Sequence, residues 1–564
     1  MRDLIGIDVG GTNTDAVLVH EGKVVATARA ATDRSRLLAG TAAVLRELLR
    51  SVSKAGSGEI ELHLSTTLST NAIVERRGDP TAVLAVPGPG LNPADLGFGF
   101  PIHQLSGAID HRGREVTPLT DTEVRSAIRE ANLEGARALA VVGKFSTRNP
   151  CQELEIEQIA RSETPGFGSV TLGHRLSGRL NFPRRITTAY LNSNVAGIQT
   201  DFARMVRELL TETAITGPVF LLKADGGTLR LEDATARPVE TILSGPAASI
   251  MGTLALTREP LNNAVILDIG GTTTDISVLV NGEPLNERNG AEISGYKTSV
   301  PALFSRSIGL GGDSKVVWEN GKIRIGPGRD GPPAIFGGPV VTPTDAVAAL
   351  GLAPLGEVFR GLAALEPLAV QAGISPAELA EKVVAEFCSL AASAVRGVYR
   401  DLASRPVYTV SEVLAPCNLK PDRIIGLGAP AATYIPLIAV KLDVPYTVLP
   451  YPEVANAVGA AASRPTAAIT LHADTALGRV VIPELDYSDT IDRPLLYETK
   501  QARAEALAHT RELAARIGVA TDGAAAEIVH EEVFNMVRGF HTVGRIYTIQ
   551  AQLRPGVIPI RIDR

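Results

Sequence analysis

The sequence IGIDVGGTNTDAVLV, residues 5–19, predicts the fold of this chain, because a close copy, VILDIGGTTTDISVL, recurs at residues 265–279. When Asp8 is aligned with Asp268, two glycines, two threonines and a second aspartate fall at matching places. Each copy consists of an apolar run, a Gly-Gly turn and a second apolar run, which is the pattern of a β-hairpin. Two such hairpins so far apart indicate two homologous lobes with a cleft between them.

The rest of the chain alternates strand-like and helix-like segments, which predicts an α/β architecture. Helical periodicity marks residues 37–53, 185–210 and 375–401, while short apolar runs such as 81–86 and 219–223 predict buried strands. We divide the chain into two lobes and a divergent C-terminal α+β region that begins after the last small-residue helix. The predicted segments are 1–200, 201–464 and 465–564.

Composition excludes several functional classes. The 564 residues carry a formal net charge of −6, which predicts neither a nucleic-acid nor a membrane-surface partner. Cys151, Cys388 and Cys417 form no CxxC pair, so we expect no disulfide framework, zinc site or iron–sulfur cluster. No apolar run reaches the roughly 20 residues that span a bilayer. With no signal-like N-terminus, the chain is expected to be cytoplasmic.

The two Gly-Gly turns have the chemistry of a phosphate site. Glycine lets backbone N–H groups approach phosphate oxygens closely, and threonine hydroxyls add donors. Asp8 and Asp268 stand at strand ends, where carboxylates suit Mg²⁺ held through its waters. A lone turn of this kind is often only a tight hairpin, but two matching copies favour a triphosphate held from both sides. The residues predicted to bind the nucleotide are Gly10, Gly11, Thr12, Asn13, Thr14, Gly270, Gly271, Thr272, Thr273 and Asp275.

Other nucleotide motifs are absent. The chain has no GxxxxGK[ST] motif, and the glycines after Asp8 do not form GxGxxG. A loop of small residues at 426–430 follows a strand, and we predict that Gly426 and Gly428 accept a flat adenine ring, although a plain strand–helix turn has the same pattern. The small-residue helix at 452–461 either allows the lobes to hinge or simply packs closely.

Seven stretches of the chain resemble the hydantoinase A/5-oxoprolinase family, a branch of the actin, sugar-kinase and heat-shock-chaperone ATPase superfamily. Together they cover roughly residues 1–465, and the 65–78 and 244–247 stretches are the more specific ones. The stretches are residues 6–15 (GIDVGGTNTD), 65–78 (STTLSTNAIVERRG), 223–227 (KADGG), 244–247 (SGPA), 268–275 (DIGGTTTD), 343–346 (PTDA) and 456–460 (NAVGA).

This resemblance implies duplicated ribonuclease-H-like, actin-like ATPase lobes and an ATP-dependent hydrolase or carboxylase-type subunit. Members of the family activate hydantoin-like cyclic ureides, the lactam 5-oxoproline or ketones by phosphorylation. The resemblance also implies that Asp8, Thr12, Asp268, Thr272 and Asp275 hold Mg-ATP. Asp345 is expected to act with Asp8 and Asp268 in catalysis, and the substrate end of the cleft is assigned to Thr66, Thr67, Asn71, Asp225 and Asp345.

The chain also departs from the family pattern. The usual His-Gly-Thr-Thr is Leu-Ser-Thr-Thr at 64–67, and the usual Pro-Ala-Cys-Tyr-Gly is Pro-Ala-Ile-Phe-Gly at 333–337. The last 100 residues resemble the family tail poorly, and no B-subunit portion is present. Either a B-type partner subunit supplies the missing chemistry, or the chain is a divergent branch with another substrate. A small-molecule kinase and a non-enzymatic actin-like ATP-binding protein are the alternatives, and the sequence leaves a homo-oligomer open.

A few polar residues outside these motifs have two interpretations each. His472 and Asp474 form an acid–base pair or cap a turn near a domain boundary, and we favour the turn. Residues 530–532, His-Glu-Glu, are predicted to lie on the solvated face of a helix rather than to bind a metal. Arg184 and Arg185 begin a long helix, where solvated arginines are commoner than ligands of a substrate carboxylate.

Overall fold

The fold was obtained as a computed structural model. No helix in the described part of the chain is long and apolar enough to cross a membrane. Cys151 and Cys388 are free thiols, and Cys417 lies outside the described residues. The structure describes residues 3–32, 37–52, 60–163, 166–213, 215–287, 289–404, 420–517 and 526–561.

The first repeat forms the predicted hairpin at the centre of a sheet. Its elements are β1 (Asp3–Val9), β2 (Asn13–His20), β3 (Lys23–Ala31), α1 (Leu37–Val52), β4 (Ile60–Thr66) and α2 (Leu68–Val74). Strand β1 pairs antiparallel with β2 and parallel with β4. Every residue of β1 is buried, as expected for a central strand with both faces covered.

A second, smaller sheet is inserted after α2. Its four strands run parallel in the order β10-β9-β5-β6, and β7 and β8 form a separate two-stranded ribbon. The elements are β5 (Thr81–Val86), β6 (Ile102–Gln104), β7 (Ala108–Ile109), β8 (Glu115–Thr117), α3 (Asp121–Leu133), β9 (Ala138–Gly143), α4 (Cys151–Ser162), β10 (Ser169–Leu172) and α5 (Gly173–Leu176).

The chain then returns to complete the first sheet. The elements are α6 (Phe182–Thr213), β11 (Val219–Leu222), β12 (Thr228–Arg230), α7 (Leu231–Ala236) and α8 (Ser244–Leu256). The strand order is β12-β11-β4-β1-β2-β3. Because strands from both sides of residue 200 join this sheet, the first lobe is discontinuous in the chain, and the three predicted segments stay a prediction.

The second repeat builds an equivalent sheet in the order β15-β14-β13-β21-β22, with β18 beside β14. Strand β13 pairs antiparallel with β14 and parallel with β21, as β1 does with β2 and β4. The duplicated lobes are therefore confirmed. The elements are β13 (Ala264–Ile269), β14 (Thr274–Val280), β15 (Glu283–Pro284), β16 (Glu292–Ile293), β17 (Tyr296–Lys297), β18 (Ser305–Ile308), β19 (Val316–Glu319), β20 (Lys322–Ile325), α9 (Pro343–Ala349), α10 (Val358–Ala372), α11 (Pro376–Ala403), β21 (Arg423–Leu427), α12 (Ala431–Leu442) and β22 (Tyr446–Val448).

One short helix, α13 (Ala455–Ala462), packs against β1, β2, β4 and α8 of the first lobe and reaches the second lobe through Asn456, which donates to Asp268. A Cβ placed on Gly459 would lie 2.1 Å from the carbonyl oxygen of Ala248 on α8, and one on Gly6 of β1 would lie 2.0 Å from the carbonyl oxygen of Ala457. The small residues of this helix therefore allow backbone-to-backbone contact with β1 and α8.

The C-terminal region folds into a five-stranded antiparallel sheet in the order β25-β24-β23-β27-β26. Its elements are β23 (Ala468–Asp474), β24 (Arg479–Ile482), β25 (Tyr487–Thr490), α14 (Thr499–Arg516), β26 (Ala526–Arg538) and β27 (His541–Leu553). The expectation of a helix at residues 530–532 is wrong, because they lie within β26. A glycine turn at Gly539 and two long β-rich segments favour a hairpin there.

Candidate active site

The two Gly-Gly turns have the same local geometry. The Gly10 N–H donates to the Asn13 carbonyl at 3.0 Å, and the Gly270 N–H donates to the Thr273 carbonyl at 2.9 Å. Each bond closes a tight turn between two antiparallel strands. Asp8 faces Asp15 across the first strand pair, and Asp268 faces Asp275 across the second. The repeated sequence therefore produces a repeated backbone conformation, which is what a pair of phosphate-binding turns requires.

Arg329 connects the two turns across the cleft. Its Nη1 donates to Thr12 Oγ1 of the first turn at 2.8 Å, and its Nη2 donates to Asp313 Oδ2 at 3.0 Å. The Asp313 N–H in turn donates to the carbonyl of Gly271 in the second turn at 2.7 Å. One guanidinium thus binds the first turn directly and is linked to the second turn through Asp313, so the two turns lie close to one another.

The strand-end carboxylates meet at α13. Asp268 Oδ2 accepts from Ser249 Oγ at 2.5 Å and from Asn456 Nδ2 at 3.0 Å. Asp8 lies near the same group, because burial and the charges of Asp15 and Asp268 raise its pKa while Ser65 and Asn456 oppose the shift. The two aspartates that the repeat predicts therefore belong to one electrostatic cluster around Asn456.

Burial makes these carboxylates unusually basic. It raises the pKa of Asp8 to about 7, with the charges of Asp15 and Asp268 adding to the effect. Burial, together with the charge of Asp268, also raises the pKa of Asp275 to about 6. Burial likewise raises the pKa of Asp268, although Ser249 opposes the shift. Several like charges gathered in a buried site are relieved by a cation.

The cluster contains polar atoms that suit a hydrated cation. No three His, Cys, Asp or Glu side chains of the described residues come together as direct metal ligands. However, four buried oxygen atoms near the turns lack a hydrogen-bond partner within the described chain, and Mg²⁺, which keeps several of its waters, would supply donors to them. These atoms are Asp8 Oδ1, Ser65 Oγ, Asp275 Oδ1 and Asn456 Oδ1.

The predicted adenine loop lies against the second turn. Gly428 has a φ of 90°, and a Cβ there would lie 2.2 Å from the carbonyl oxygen of Ile269. Pro430 lies beside Gly312, where an added Cβ would be 3.4 Å from its ring. The loop therefore approaches the phosphate turns, and the roles of Gly426 and Gly428 in adenine binding stay a prediction.

The predicted substrate residues at the junction of β4 and α2 lie at the edge of the first turn. The Thr67 hydroxyl donates to the Val9 carbonyl at 3.3 Å, and Asn71 Nδ2 donates to Thr67 Oγ1 at 3.3 Å. Thr66 is joined to the start of α8, since its carbonyl accepts from Ser244 Oγ at 2.9 Å. The motifs at 65–78 and 244–247 thus meet next to the phosphate turn.

Asp345 has a different environment from the other predicted catalytic residues. Its side chain is fully buried in the capping box of α9 and accepts from the Thr342 N–H and hydroxyl, both at 2.8 Å. It also accepts from the N–H groups of Ala334 and Ile335 at 3.1 and 2.7 Å. These four bonds hold the 333–337 loop in place, and a catalytic role for Asp345 stays a prediction.

Asp225 pairs with a lysine at the wall of a large cavity. Its carboxylate accepts from Lys223 Nζ at 3.0 Å and from the Gly227 N–H at 2.9 Å. Both Lys223 and Asp225 line a cavity of about 1040 Å³ bounded by the first lobe, the inserted sheet and the C-terminal sheet. Among the described residues, no hydrogen bond joins Asp225 to Thr66, Thr67 or Asn71, and its role at the substrate end stays a prediction.

The other polar residues singled out in the sequence have structural partners. His472 lies in β23 and contacts the carbonyl oxygen of Gly178 at 2.8 Å, while Asp474 pairs with Arg112 at 2.9 Å. Burial and the nearby charge of Arg148 hold the pKa of His472 well below its ordinary value. The preferred turn interpretation is confirmed for Asp474, whose Oδ1 accepts from the N–H groups of Ala476 and Leu477 at 2.9 and 3.0 Å. It is wrong for His472, which lies inside a strand that docks on the inserted domain.

Arg185 also contacts groups that belong to the protein framework. Its guanidinium is fully buried and donates to the carbonyl of Gly143 and the hydroxyl of Ser146, both at 2.8 Å. Arg184 donates to the carbonyl of Thr298 at 2.7 Å. The expectation that these arginines are solvated is therefore wrong for Arg185, because the start of α6 packs against the inserted sheet.

Sequence reasoning missed three contributors to the site. Arg329 and Ser249 carry no motif of their own, and Asn456 was noted only as part of a small-residue helix. Each is recognisable only once the two lobes are docked, because its partners in the site lie at least 16 positions away in the chain.

The duplicated sheets and their matching turns define a fold of two homologous α/β lobes. The chain belongs to the hydantoinase/oxoprolinase family: residues 185–469 match the family described as Hydantoinase/oxoprolinase. Residues 4–92 and 99–164 match its N-terminal region. The resemblance seen in the sequence motifs is thus confirmed.

Curated relatives match somewhat less than two thirds of the chain at moderate identity. Caprolactamase subunit alpha of Pseudomonas jessenii is 26% identical over 392 residues, which is 63% of this chain and 56% of that protein. The gamma subunit of acetophenone carboxylase of Aromatoleum aromaticum is 26% identical over 392 residues, 62% of this chain and 53% of that protein. The chain therefore spans about half the length of these relatives.

Solved structures of two similar proteins share the fold. A nucleotide-free acetone carboxylase structure superposes with a TM-score of 0.73 at 17% identity, covering 99% of this chain and 88% of that chain. The ATP-dependent caprolactamase of Pseudomonas jessenii superposes with a TM-score of 0.68 at 18% identity, covering 100% of this chain and 88% of that chain. The α/β fold class predicted from the sequence is confirmed.

Proposed function

We propose that this chain is the ATP-using subunit of a hydrolase or carboxylase-type enzyme that activates a small cyclic amide, a ureide or a ketone. The observation that carries the proposal is the convergence of two carboxylate-bearing Gly-Gly turns on one cleft, joined by Arg329 and Asn456. Relatives named caprolactamase, 5-oxoprolinase and acetophenone carboxylase support the substrate class.

The residues of the cleft have separate tasks in this proposal. The backbone N–H groups and threonine hydroxyls of the two turns bind phosphate oxygens, and Arg329 neutralises charge between them. Asp8 and Asp268 hold Mg²⁺ through its waters. When bound, Mg-ATP supplies the phosphoryl group that activates an amide or enol oxygen. The protein contributes positioning and charge neutralisation, which are sufficient for phosphoryl transfer.

Thr66, Thr67 and Asn71 are assigned to the substrate end of this cleft. Their hydroxyl and amide groups lie beside the first turn and match the polar edge of a lactam or hydantoin, which has both N–H donors and carbonyl acceptors. The relatives named as subunits support a second, B-type chain in the working enzyme. We assign the steps after activation to that partner.

The proposal is tested by measuring phosphate release from Mg-ATP over a panel of lactams, hydantoins and ketones, with the chain alone and with candidate partner subunits. We expect at least one compound class to raise the rate, and Asp268→Asn to lower it about a hundredfold or more. Asp401→Asn, an exposed change on α11, is the matched control and should leave the rate unchanged.

Two results separate the alternatives. Accumulation of a stable phosphorylated compound without ring opening or carboxylation would indicate a small-molecule kinase of the same fold. If no compound in the three classes raises phosphate release with any partner, the proposed function is wrong.

A further inference from the structure

The hairpin of β26 and β27 extends beyond the rest of the C-terminal sheet. Strand β23 pairs with β27 only from Ile546 to Gln552, whereas β26 and β27 stay paired up to Arg538 and His541. The two strands are joined by a two-residue turn in which Gly539 has a φ of 63°. We call residues 532–545 the arm.

The arm exposes several apolar side chains. Its outer strand, β26, also has no neighbouring strand on one side among the described residues. Phe534 is 60% exposed, Val537 is 62% exposed and Phe540 at the tip is completely exposed. Strand β26 is the last strand of its sheet and pairs only with β27 among the residues that the structure describes. A long apolar edge of this kind is normally covered, because it otherwise invites uncontrolled pairing.

The sequence of the edge is complementary to itself. Residues 532–538 read Glu-Val-Phe-Asn-Met-Val-Arg, with an acidic residue at one end, a basic residue at the other and Asn535 at the centre. In an antiparallel pair of identical strands centred on Asn535, each residue faces the residue at the mirror position. The facing pairs are Glu532 with Arg538, Val533 with Val537 and Phe534 with Met536.

We propose that β26 pairs antiparallel with β26 of a second copy of this chain, in the register centred on Asn535. Opposite charges and apolar pairs that face each other across antiparallel strands stabilise them. A shift of the register by two residues in one direction places Glu532 opposite Met536, and the same shift in the other direction places Arg538 opposite Phe534. Either shift breaks both Glu532–Arg538 pairs. The pattern therefore selects one register as well as one partner.

This pairing also covers the exposed tip. In the same register Phe540 of one copy comes beside His530 of the other, next to Val529, which is 46% exposed. The two arms lie side by side and run in opposite directions, so the bodies of the two chains lie at opposite ends of the shared strand pair. A closed two-fold pair leaves no further free edge along this segment.

The test is a charge exchange followed by light scattering after size-exclusion chromatography, over a range of protein concentrations. We expect the wild type to reach a species of twice the 59.2 kDa chain mass. The two-fold dimer contains the pair of residues 532 and 538 twice. Glu532→Arg and Arg538→Glu each put like charges at both of these pairs, so each should raise the dimer dissociation constant about tenfold or more.

An equimolar mixture of the two single variants should restore dimers, because every facing pair then has opposite charges, and the double variant should also dimerise. The matched controls are Glu319→Arg and Arg324→Glu, which reverse an exposed ion pair in the hairpin of β19 and β20 and should not change the mass. A monomeric wild type, or a dimer that both single variants leave intact, overturns the proposal.

Discussion

At the scale of single residues, the site depends on the protonation of Asp8. Its carboxylate, with a pKa of about 7, is largely neutral in the free chain at pH 6. Since a hydrated cation binds the ionised form, we expect the affinity for Mg-ATP to rise with pH through about 7 and then to level off. Isothermal titration of a non-hydrolysable ATP analogue with Mg²⁺ between about pH 5.5 and pH 9 measures this change.

The Asp8→Asn variant is the control for this pH dependence. The inflection near pH 7 should disappear, while any inflection from Asp275 near pH 6 remains. The raised pKa also means that Asp8 stabilises the nucleotide-free fold at low pH and that this contribution is lost as pH rises through about 7. Denaturation curves should therefore show a smaller loss of stability between pH 5 and pH 8 in the variant. If the inflection near pH 7 is unchanged in the Asp8→Asn variant, it comes from a group other than Asp8.

The Asp345→Asn variant distinguishes a catalytic role of this residue from a structural one. Because its carboxylate accepts four hydrogen bonds in a buried cap, Asp345→Asn should lower the free energy of unfolding by about 1–3 kcal/mol. We expect activity per folded molecule to be largely retained, in contrast to Asp268→Asn. Urea denaturation and phosphate release measured on the same samples decide this. A fully stable but inactive Asp345 variant would restore its predicted catalytic role.

At the scale of secondary-structure elements, the repeats were predictable because their signal is local. Apolar runs flanking Gly-Gly define a hairpin in a window of 15 residues, and matching windows imply matching sheets. The contact of Arg329 with Thr12 was not predictable, since it joins residues 317 positions apart. The error at 530–532 has a similar origin, because a short polar segment shows no periodicity and only pairing with β27 makes it a strand.

The contact between α13 and α8 leads to a prediction about packing. A methyl group on Gly459 would overlap the Ala248 carbonyl, so Gly459→Ala should destabilise the chain by about 1–3 kcal/mol. Gly397 on α11 is the matched control, since no atom lies within 4 Å of its added Cβ. There, Gly397→Ala should stabilise by roughly 0.5–1 kcal/mol through helix propensity. Thermal melts compare the two, and an equal effect would contradict the close packing.

At the scale of the whole molecule, the C-terminal sheet is fixed to the inserted domain rather than to the nucleotide cleft. The Gly178 N–H donates to Glu484 at 2.8 Å, and Arg112 binds Asp474 through two bonds. The large cavity containing Asp225 lies along this junction. The molecule therefore has a core of two lobes that meet at α13 and a peripheral pair of domains that support the first lobe.

This arrangement predicts how the molecule responds to nucleotide. Because one cleft is formed by both turns, a non-hydrolysable ATP analogue with Mg²⁺ should slow amide hydrogen exchange in residues 8–15 and 268–275 together. A ligand at a hundred times its dissociation constant stabilises the bound fold by about 2.7 kcal/mol, which corresponds to roughly a hundredfold slower exchange where opening requires release. Asp268→Asn should abolish protection in both segments, including the one that it does not touch. Protection confined to a single hairpin would mean that the lobes bind nucleotide independently, and the two-sided site would have to be abandoned.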